Sequence, residues 1–190
     1  FILPRIVPLT YAIWFPWDVP SICLFTICLV LLHRRIWLFY YLLFALAVLT
    51  KQTAIFLAVV YLFTSMGHVK SRTVAVHFSL QVAIWLIIVY GQYNLGGGNP
   101  FTMGLFGLSN LQRNLVFLGR ITNLPFLFSV FGYLWIPAVV FLPVIRDSFV
   151  RRSMWVTVPY FLTVMLVGDV SELRIYGELA PVVLVAFFHV

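Results

Sequence analysis

Long apolar runs, separated by short clusters of charged residues, divide most of this sequence. Residues 19–32 carry no charge, and this run ends at His33-Arg34-Arg35. Hydrophobic residues make up 63% of the chain and charged residues 9%, whereas about one-quarter of the residues in a soluble domain are charged. The pattern predicts an all-α, polytopic transmembrane helix bundle. At roughly 20 residues per span, the chain has room for about six to eight short membrane helices.

Residues 36–66 are the segment whose length is hardest to reconcile with one membrane helix. A single helix would be about 46 Å long at 1.5 Å per residue, against a hydrocarbon core of about 30 Å. It would also place Lys51 at mid-depth. We therefore predict two short helices, 36–49 and 53–66, joined near 50–53, with local thinning of the bilayer around them.

The remaining segments alternate between predicted crossings and loops. In residues 109–119, leucines lie opposite Asn110, Gln112, Arg113 and Asn114, which predicts an amphipathic helix at the membrane interface. The predicted crossings are 73–90, 124–145, 153–167 and the run from 180 onward, the outer loops are 91–123 and 169–178, and 146–152 is a basic inner loop. Residues 1–190 are expected to form a single transmembrane domain, an internal fragment truncated at both ends, since the sequence both begins and ends in apolar residues.

Charge placement predicts which end of the bundle faces the cytoplasm. The net charge is +7, and the basic residues cluster between apolar runs, as the positive-inside rule expects. This pattern favours membrane lipid as the partner and disfavours nucleic acid. In the predicted topology four of the five acidic residues lie outside, which indicates chemistry on the non-cytoplasmic face. The inner clusters are Arg34, Arg35, Lys70, Arg72, Arg146, Arg151 and Arg152.

Two candidate residues lie at predicted helix ends on the outer side. Asp18 precedes a helix, where it could cap backbone N–H groups or serve as an outward carboxylate at the mouth of a cavity. Lys51 could extend towards lipid headgroups, or with the positive end of the following helix it could bind a lipid phosphate. Both alternatives stay open for each residue.

The densest polar cluster is residues 169–178, between two apolar runs. It could be a solvated loop with an Arg174–Glu178 pair. Alternatively, Arg174 could bind phosphate while Glu172 or Asp169 polarises an acceptor or binds a divalent metal. Separately, residues 77, 81 and 85 form a polar stripe on one helix, and such stripes usually join helices to each other.

Three stretches, taken together, resemble one family. They are the helix that begins at Asp18, residues 47–57 with Thr50-Lys51-Gln52-Thr53-Ala54, and Glu172 to Tyr176 with Pro181. This combination is similar to the protein O-mannosyltransferase and aminoarabinose-transferase group, which are glycosyltransferases of the GT-C fold related to glycosyltransferase family 39. Gln52 replaces the usual aromatic residue, and Ile175 separates Arg174 from Tyr176.

The resemblance implies a membrane enzyme that transfers a sugar from a polyprenyl-phosphate donor on the outer face of a bacterial inner membrane. It implies that Lys51 and Arg174 bind the carrier phosphate, that Asp18, Glu172 and Tyr176 line the site, and that the catalytic acid precedes residue 1. The family sometimes uses a divalent metal, and no other cofactor is expected. The alternatives are a transporter or flippase of a lipid-linked or anionic substrate, and a non-catalytic membrane subunit.

Overall fold

A computed structural model describes residues 18–96 and 108–189, and throughout these ranges the regular structure is helical. The aromatic segment at 14–17 and the glycine-rich segment at 97–100 lie outside the described residues. The α-helices are α1 (Asp18–His33), α2 (Trp37–Thr50), α3 (Phe56–Ser65), α4 (Ser71–Gly96), α5 (Leu108–Leu118), α6 (Leu124–Ser129), α7 (Trp135–Val140), α8 (Ser148–Ser153), α9 (Thr157–Val167) and α10 (Ala180–Phe188). Short 3-10 helices are Gln52–Ile55, Ile121–Asn123, Val130–Tyr133, Leu142–Val144, Met154–Val156 and Leu173–Leu179.

The predicted division of residues 36–66 into two helices is confirmed. Between α2 and α3, Lys51 has an extended backbone (φ −157°, ψ 126°), and a short 3-10 helix follows it. The ring of Trp37, at the start of α2, lies 5.6 Å from the ring of Tyr61, near the end of α3. The two helices are therefore antiparallel, and Lys51 lies at the turn between them.

Helix α4 runs alongside α2 and is attached to it by polar side chains. Tyr41 shares a 2.5 Å hydrogen bond with His77 Nδ1, and Tyr40 donates to Gln81 Oε1 at 2.6 Å. Further along the helix, Trp85 Nε1 donates to the Gln52 carbonyl at 2.8 Å. The predicted role of the 77/81/85 stripe in joining helices is thus confirmed.

The second half of the described chain packs against these helices, with α8 at the same end as the α1–α2 turn and α9 continuing toward the α2–α3 turn. At one end, the ring of Phe149 lies 4.6 Å from the ring of His33, and Arg152 donates to the Met66 carbonyl. Further along the bundle, Tyr160 of α9 packs against Phe56 of α3 with ring centroids 4.6 Å apart. Residues buried between the helices form one core, which includes Phe25, Tyr40, Phe44, Leu57, Val156, Tyr160 and Val182.

As a result, most of the acidic residues in the described ranges lie at one end of the helices, where they are interspersed with cations such as Lys51 and Arg113. We call this the acidic end; it contains the start of α1, the α2–α3 turn, α5, the end of α9 and the start of α10. The other is the basic end, formed by the α1–α2 turn, the α3–α4 turn and the start of α8. The predicted outer acids Asp18, Asp169 and Glu178 lie at the acidic end, and the predicted inner basic clusters lie at the basic end.

The prediction of one crossing helix over 124–145 was wrong. This segment consists of α6, α7 and short 3-10 helices, and Phe131, Gly132 and Tyr133 all have positive φ angles. Proline lacks an N–H donor and clashes with the preceding helical turn. The segment has three prolines, at 125, 137 and 143, so a continuous helix would lose hydrogen bonds repeatedly.

Three other boundaries differ from the predictions. The outer loop predicted to begin at 91 is helical as far as Gly96, and much of the inner loop 146–152 forms α8, capped by Asp147. In the outer loop 169–178, a 3-10 helix begins at Leu173. In each case a local helix satisfies backbone N–H and C=O groups that a loop would leave to water.

The amphipathic helix predicted at 109–119 exists as α5, and both polar and apolar side chains attach it to the protein. Asn114 is buried and donates to the carbonyls of Met165 and Gly168, both at 3.0 Å. Leu111 and Phe117 pack against the core, whereas Gln112 and Arg113 are exposed. Asn114 caps the end of α9, whose last carbonyls have no partner within the helix.

The lengths of the helices constrain how the chain can meet a bilayer. Within the described ranges, Ser71–Leu95 is the one helix that is long and apolar enough to cross a membrane. Four other apolar helical segments are shorter, at 10–17 residues. The described structure is thus all-helical, and the lengths of its helices do not by themselves support the predicted set of six to eight membrane crossings.

Substitution of Gly132 tests the unusual backbone between α6 and α7, and substitution of Gly91 in α4 is the control. Gly132 has φ +60°, and a Cβ there would have open space, so Gly132→Ala should cost only the left-handed backbone penalty of about 1–2 kcal/mol. Gly91 also has open space but lies within α4, so Gly91→Ala should stabilise by up to about 1 kcal/mol. Thermal melting of both variants checks this, and equal effects would contradict the positive φ at Gly132.

Candidate functional site

Three segments that are distant in sequence each contribute a charged side chain to the acidic end. Asp18 is the first residue of α1, and Lys51 is the extended residue at the α2–α3 turn. Glu178 lies in the last turn of the 3-10 helix before α10, which begins at Ala180 with Pro181 in its first turn. All three residues therefore lie at helix ends.

The ammonium of Lys51 joins the two carboxylates. Its Nζ lies 2.6 Å from Glu178 Oε1 and 3.2 Å from Asp18 Oδ1. The side chains of Glu178 and Asp18 are 0% and 3% exposed, and that of Lys51 is 23% exposed. Buried carboxylates require ionic or hydrogen-bonding partners because leaving water costs several kcal/mol per ion. Lys51 supplies this compensation for both, and we call Asp18, Lys51 and Glu178 the charged triad.

Two hydroxyl groups complete the surroundings of Glu178. Ser21 Oγ donates to Glu178 Oε1 at 3.2 Å, and Tyr160 OH lies 2.7 Å from Glu178 Oε2. The Tyr160 hydroxyl also contacts the carbonyl of Ile175. Glu178 therefore connects α1, α9 and the α2–α3 turn through its two carboxylate oxygens.

The Lys51 ammonium makes two of the three hydrogen bonds that it can donate. An ammonium has three N–H donors, and within the described residues Asp18 and Glu178 accept from two of them. The Lys51 side chain is also partly exposed, at 23%.

A shallow depression of about 330 Å³ adjoins Lys51. It is lined by polar groups of the α2–α3 turn and by Gln92, which donates to the Leu49 carbonyl at 2.9 Å. Thr53 also lines it, and the buried Thr53 hydroxyl makes no hydrogen bond within the described structure. Buried hydroxyls nearly always have a partner, so the Thr53 hydroxyl is an unsatisfied polar group at the wall of this depression.

An apolar groove of about 510 Å³ lies on another side of the Glu178 segment. Its walls include Trp135, Phe161, Val183 and Tyr176. Tyr176 is itself fixed by donating its hydroxyl to the Val170 carbonyl at 3.1 Å. The groove suits hydrocarbon, because its lining is almost entirely apolar side chains.

Asp169 forms a separate polar group near the end of α9. Burial alone would raise its pKa, but the hydroxyl and N–H of Ser171 and the charge of Arg113 together outweigh burial and lower the pKa. The Ser171 Oγ and N donate to Asp169 Oδ1 at 2.6 and 2.9 Å, and Arg113 Nε is 3.7 Å from Oδ2. The Asp169 carboxylate thus stabilises its own loop through these contacts.

The structure brings together some of the predicted site residues and separates others. Asp18 and Lys51 are in direct contact, while Tyr176 is two residues from Glu178 and faces the apolar groove. Glu172 precedes the same 3-10 helix, and the Arg174 side chain lies outside the described part. Over residues 18–96 and 108–189, no three His, Cys, Asp or Glu side chains are placed to hold a metal ion.

Sequence reasoning missed three members of the site. Glu178 was considered only as a partner of Arg174, whereas its carboxylate contacts Lys51, Ser21 and Tyr160. Ser21 could have been found, because it is three residues from Asp18 and residues at this spacing share a helix face. No local signal marks Tyr160, which reaches Glu178 only through packing of α9.

Comparison with known proteins does not identify a family for this chain. No protein-family model, curated protein or solved structure matches it. The function therefore has to be inferred from the geometry and chemistry of the chain itself.

The charged triad predicts a large energetic coupling. Lys51→Met leaves two buried carboxylates close together without a cation, and should cost about 3–5 kcal/mol, the usual effect of breaking a buried ion pair. Adding Glu178→Gln to that variant should recover a large part of the loss. Thermal or denaturant unfolding of the four members of this double-mutant cycle measures the coupling.

Lys70→Met is the matched control, because Lys70 is an exposed lysine at the basic end. It should change stability by no more than about 0.5 kcal/mol. The triad would lose its assigned role if Lys51→Met were as mild as this control, or if Glu178→Gln gave no recovery.

Proposed function

We propose that this chain is an integral membrane, multi-pass helical bundle that belongs to a glycosyltransferase. In this proposal it takes a sugar from a polyprenyl-phosphate carrier at the acidic end, which faces away from the cytoplasm. The observation that carries the proposal is the meeting of Asp18, Lys51 and Glu178 at one end, next to an accessible ammonium donor and an unpartnered threonine hydroxyl.

Exposed apolar surface supports the membrane location. On α2, Leu38, Leu42, Leu46 and Leu49 are all exposed and recur at helical spacing along one face. Soluble monomers rarely expose large contiguous apolar patches, whereas lipid tails would cover such a face. The charged clusters lie at the two ends of the bundle, where headgroups and water would solvate them.

Short helices are compatible with this location if the bilayer adapts to them. A helix of 16 residues such as α1 is about 24 Å long, which is less than the hydrocarbon core. Local thinning accommodates such a mismatch at a modest cost. The α2–α3 pair then enters and leaves from the basic end, and its turn at Lys51 stays within reach of the outer headgroups.

The donor site in this proposal combines a polar and an apolar part. The third N–H of Lys51 and the Thr53 hydroxyl contact the carrier phosphate in the depression, and the resemblance assigns Arg174 as the second cation. A second cation would help to hold the phosphate, because the Lys51 ammonium is already shared between two carboxylates. Stabilising charge on the leaving phosphate would lower the barrier to sugar transfer.

The apolar groove beside Tyr176 is the proposed place for part of the isoprenoid chain. Asp18 and Glu178 hold the ammonium of Lys51 in position and do not themselves contact the phosphate. The acid that deprotonates the acceptor is expected outside residues 18–189, as the family resemblance implies.

A transporter is the second candidate, and one observation favours it. Buried ionisable groups within a membrane protein often mark ion or proton pathways, and Asp18, Lys51 and Glu178 are ionisable side chains that lie together and are largely buried. Substrate flux in proteoliposomes without sugar transfer would favour this candidate over the enzyme.

Thr53→Val tests the donor site. The variant removes one hydroxyl that has no partner in the described structure, so it should fold normally and melt no lower than the unmodified protein. Loss of a hydrogen bond to a charged phosphate should raise KM for the polyprenyl-phosphate sugar about tenfold. The measurement is transfer of a radiolabelled sugar from that donor by the purified protein.

Thr163→Val is the control, because the Thr163 hydroxyl bonds the Pro159 carbonyl of its own helix at 2.8 Å. It should leave KM unchanged. Equal KM values for both variants would remove Thr53 from the site, and absence of any sugar transfer would remove the enzyme proposal.

Cysteine labelling tests the sidedness. In a protein whose Cys23 and Cys28 are replaced, Ser109→Cys at the acidic end should react with a membrane-impermeant maleimide from outside intact cells. Ser148→Cys, an exposed serine at the basic end, should react only after the membrane is opened. Labelling of both positions from the same side would contradict a membrane between the two ends.

A further inference from the structure

A second cavity lies at the basic end, opposite the charged triad. Its volume is about 580 Å³. It lies between the α1–α2 turn, the end of α3, the start of α4 and the start of α8. Side chains that can donate hydrogen bonds or carry positive charge line it, and these include His33, Arg35, Tyr61, His68 and His77.

One buried hydroxyl in this cavity is poorly satisfied. Tyr61 is 2% exposed, and its hydroxyl has the Ser65 side chain as a polar neighbour but makes no hydrogen bond of standard geometry within the described structure. Buried hydroxyls usually have a well-aligned partner. The phenol is an O–H donor on the wall of a cavity large enough for a ligand.

Arg35 contributes a permanent positive charge beside this donor. It has φ +57° at the turn after α1, and backbone hydrogen bonds to Leu32 and Leu31 fix the turn around it. Arginine stays ionised and offers five N–H donors in a planar fork that matches phosphate oxygens.

His77 is held in a defined orientation on the same wall. Its Nδ1 shares a hydrogen bond with the Tyr41 hydroxyl, and its ring stacks on Trp37 with centroids 4.1 Å apart. The other ring nitrogen, Nε2, is left for a further contact.

Asp147, an acid in the lining, is already engaged. Its Oδ1 accepts hydrogen bonds from the N–H groups of Phe149 and Val150 at 2.8 and 3.2 Å, which caps α8. These backbone donors offset part of its charge. The basic clusters around the cavity raise the local concentration of anions further.

We propose that this cavity binds a phosphoryl group, with Arg35 and the Tyr61 hydroxyl as its main contacts. Arg35, Tyr61 and His77 come from the α1–α2 turn, α3 and α4 and line the same cavity, so a bound phosphoryl group could be contacted from several sides. The phosphoryl group comes either from an anionic lipid headgroup or from a soluble phosphate. This site is separate from the triad and does not depend on the proposed sugar transfer.

The test measures the melting temperature of the purified protein in neutral detergent, with two probes. One is inorganic phosphate, and the other is a short-chain phosphatidic acid, each compared with sodium chloride at equal ionic strength. A ligand that binds only the folded state raises the melting temperature in proportion to its occupancy. A rise with phosphate alone identifies a soluble ligand, and a rise with phosphatidic acid identifies a headgroup.

Two variants should weaken binding about tenfold each, as expected for lost hydrogen bonds to a charged group. Tyr61→Phe removes a hydroxyl that makes no hydrogen bond of standard geometry, so this variant should melt close to the unmodified protein. Arg35→Asn removes the charge, and asparagine tolerates the positive φ. The controls are Tyr133→Phe, at an exposed tyrosine elsewhere, and Arg151→Gln, an exposed arginine of the basic end that does not line the cavity.

Retained binding in both controls with weakened binding in both variants would support the proposal. It would be overturned if neither probe raised the melting temperature. It would also be overturned if all four substitutions had the same effect, since that would indicate general charge attraction to the basic end.

Discussion

The ammonium of Lys51 lies between the carboxylates of Asp18 and Glu178, and the packing of three distant segments depends on this contact. A buried carboxylate without a cation costs several kcal/mol. Burial of these two carboxylates therefore requires that the start of α1 and the segment before α10 both lie next to Lys51. Lys51 can reach both because the chain is extended between α2 and α3, which puts its side chain at the end of the bundle instead of in the middle of a long helix.

Polar contacts also determine how the long helix α4 is placed. Its His77, Gln81 and Trp85 each bond to α2 or to the turn after it. Between apolar helices, such hydrogen bonds fix the register, whereas contacts between leucines could slide by a turn at little cost. The same register brings Gln92 beside the depression at Lys51 and His77 beside the cavity at the basic end, so one helix contributes to both candidate sites.

The two ends of the bundle offer different chemistry. The acidic end holds compensated carboxylates, an ammonium with one donor to spare and the unpartnered Thr53 hydroxyl. The basic end holds Arg35, several histidines and the poorly satisfied Tyr61 hydroxyl around a larger cavity. If the apolar helix surfaces lie in lipid, these two candidate sites face opposite compartments.

Apolar runs and charge clusters in the sequence were enough to predict an all-helical structure, the break at 50–53 and the placement of most acids at one end, because these follow from local patterns. The three prolines in 124–145 are a sequence signal against one continuous helix there. Only the tertiary structure decided that Glu178 pairs with Lys51, that Tyr160 supports it and that Asn114 faces inward. Such contacts join residues far apart in sequence, and side-chain partners at that distance depend on how the helices pack.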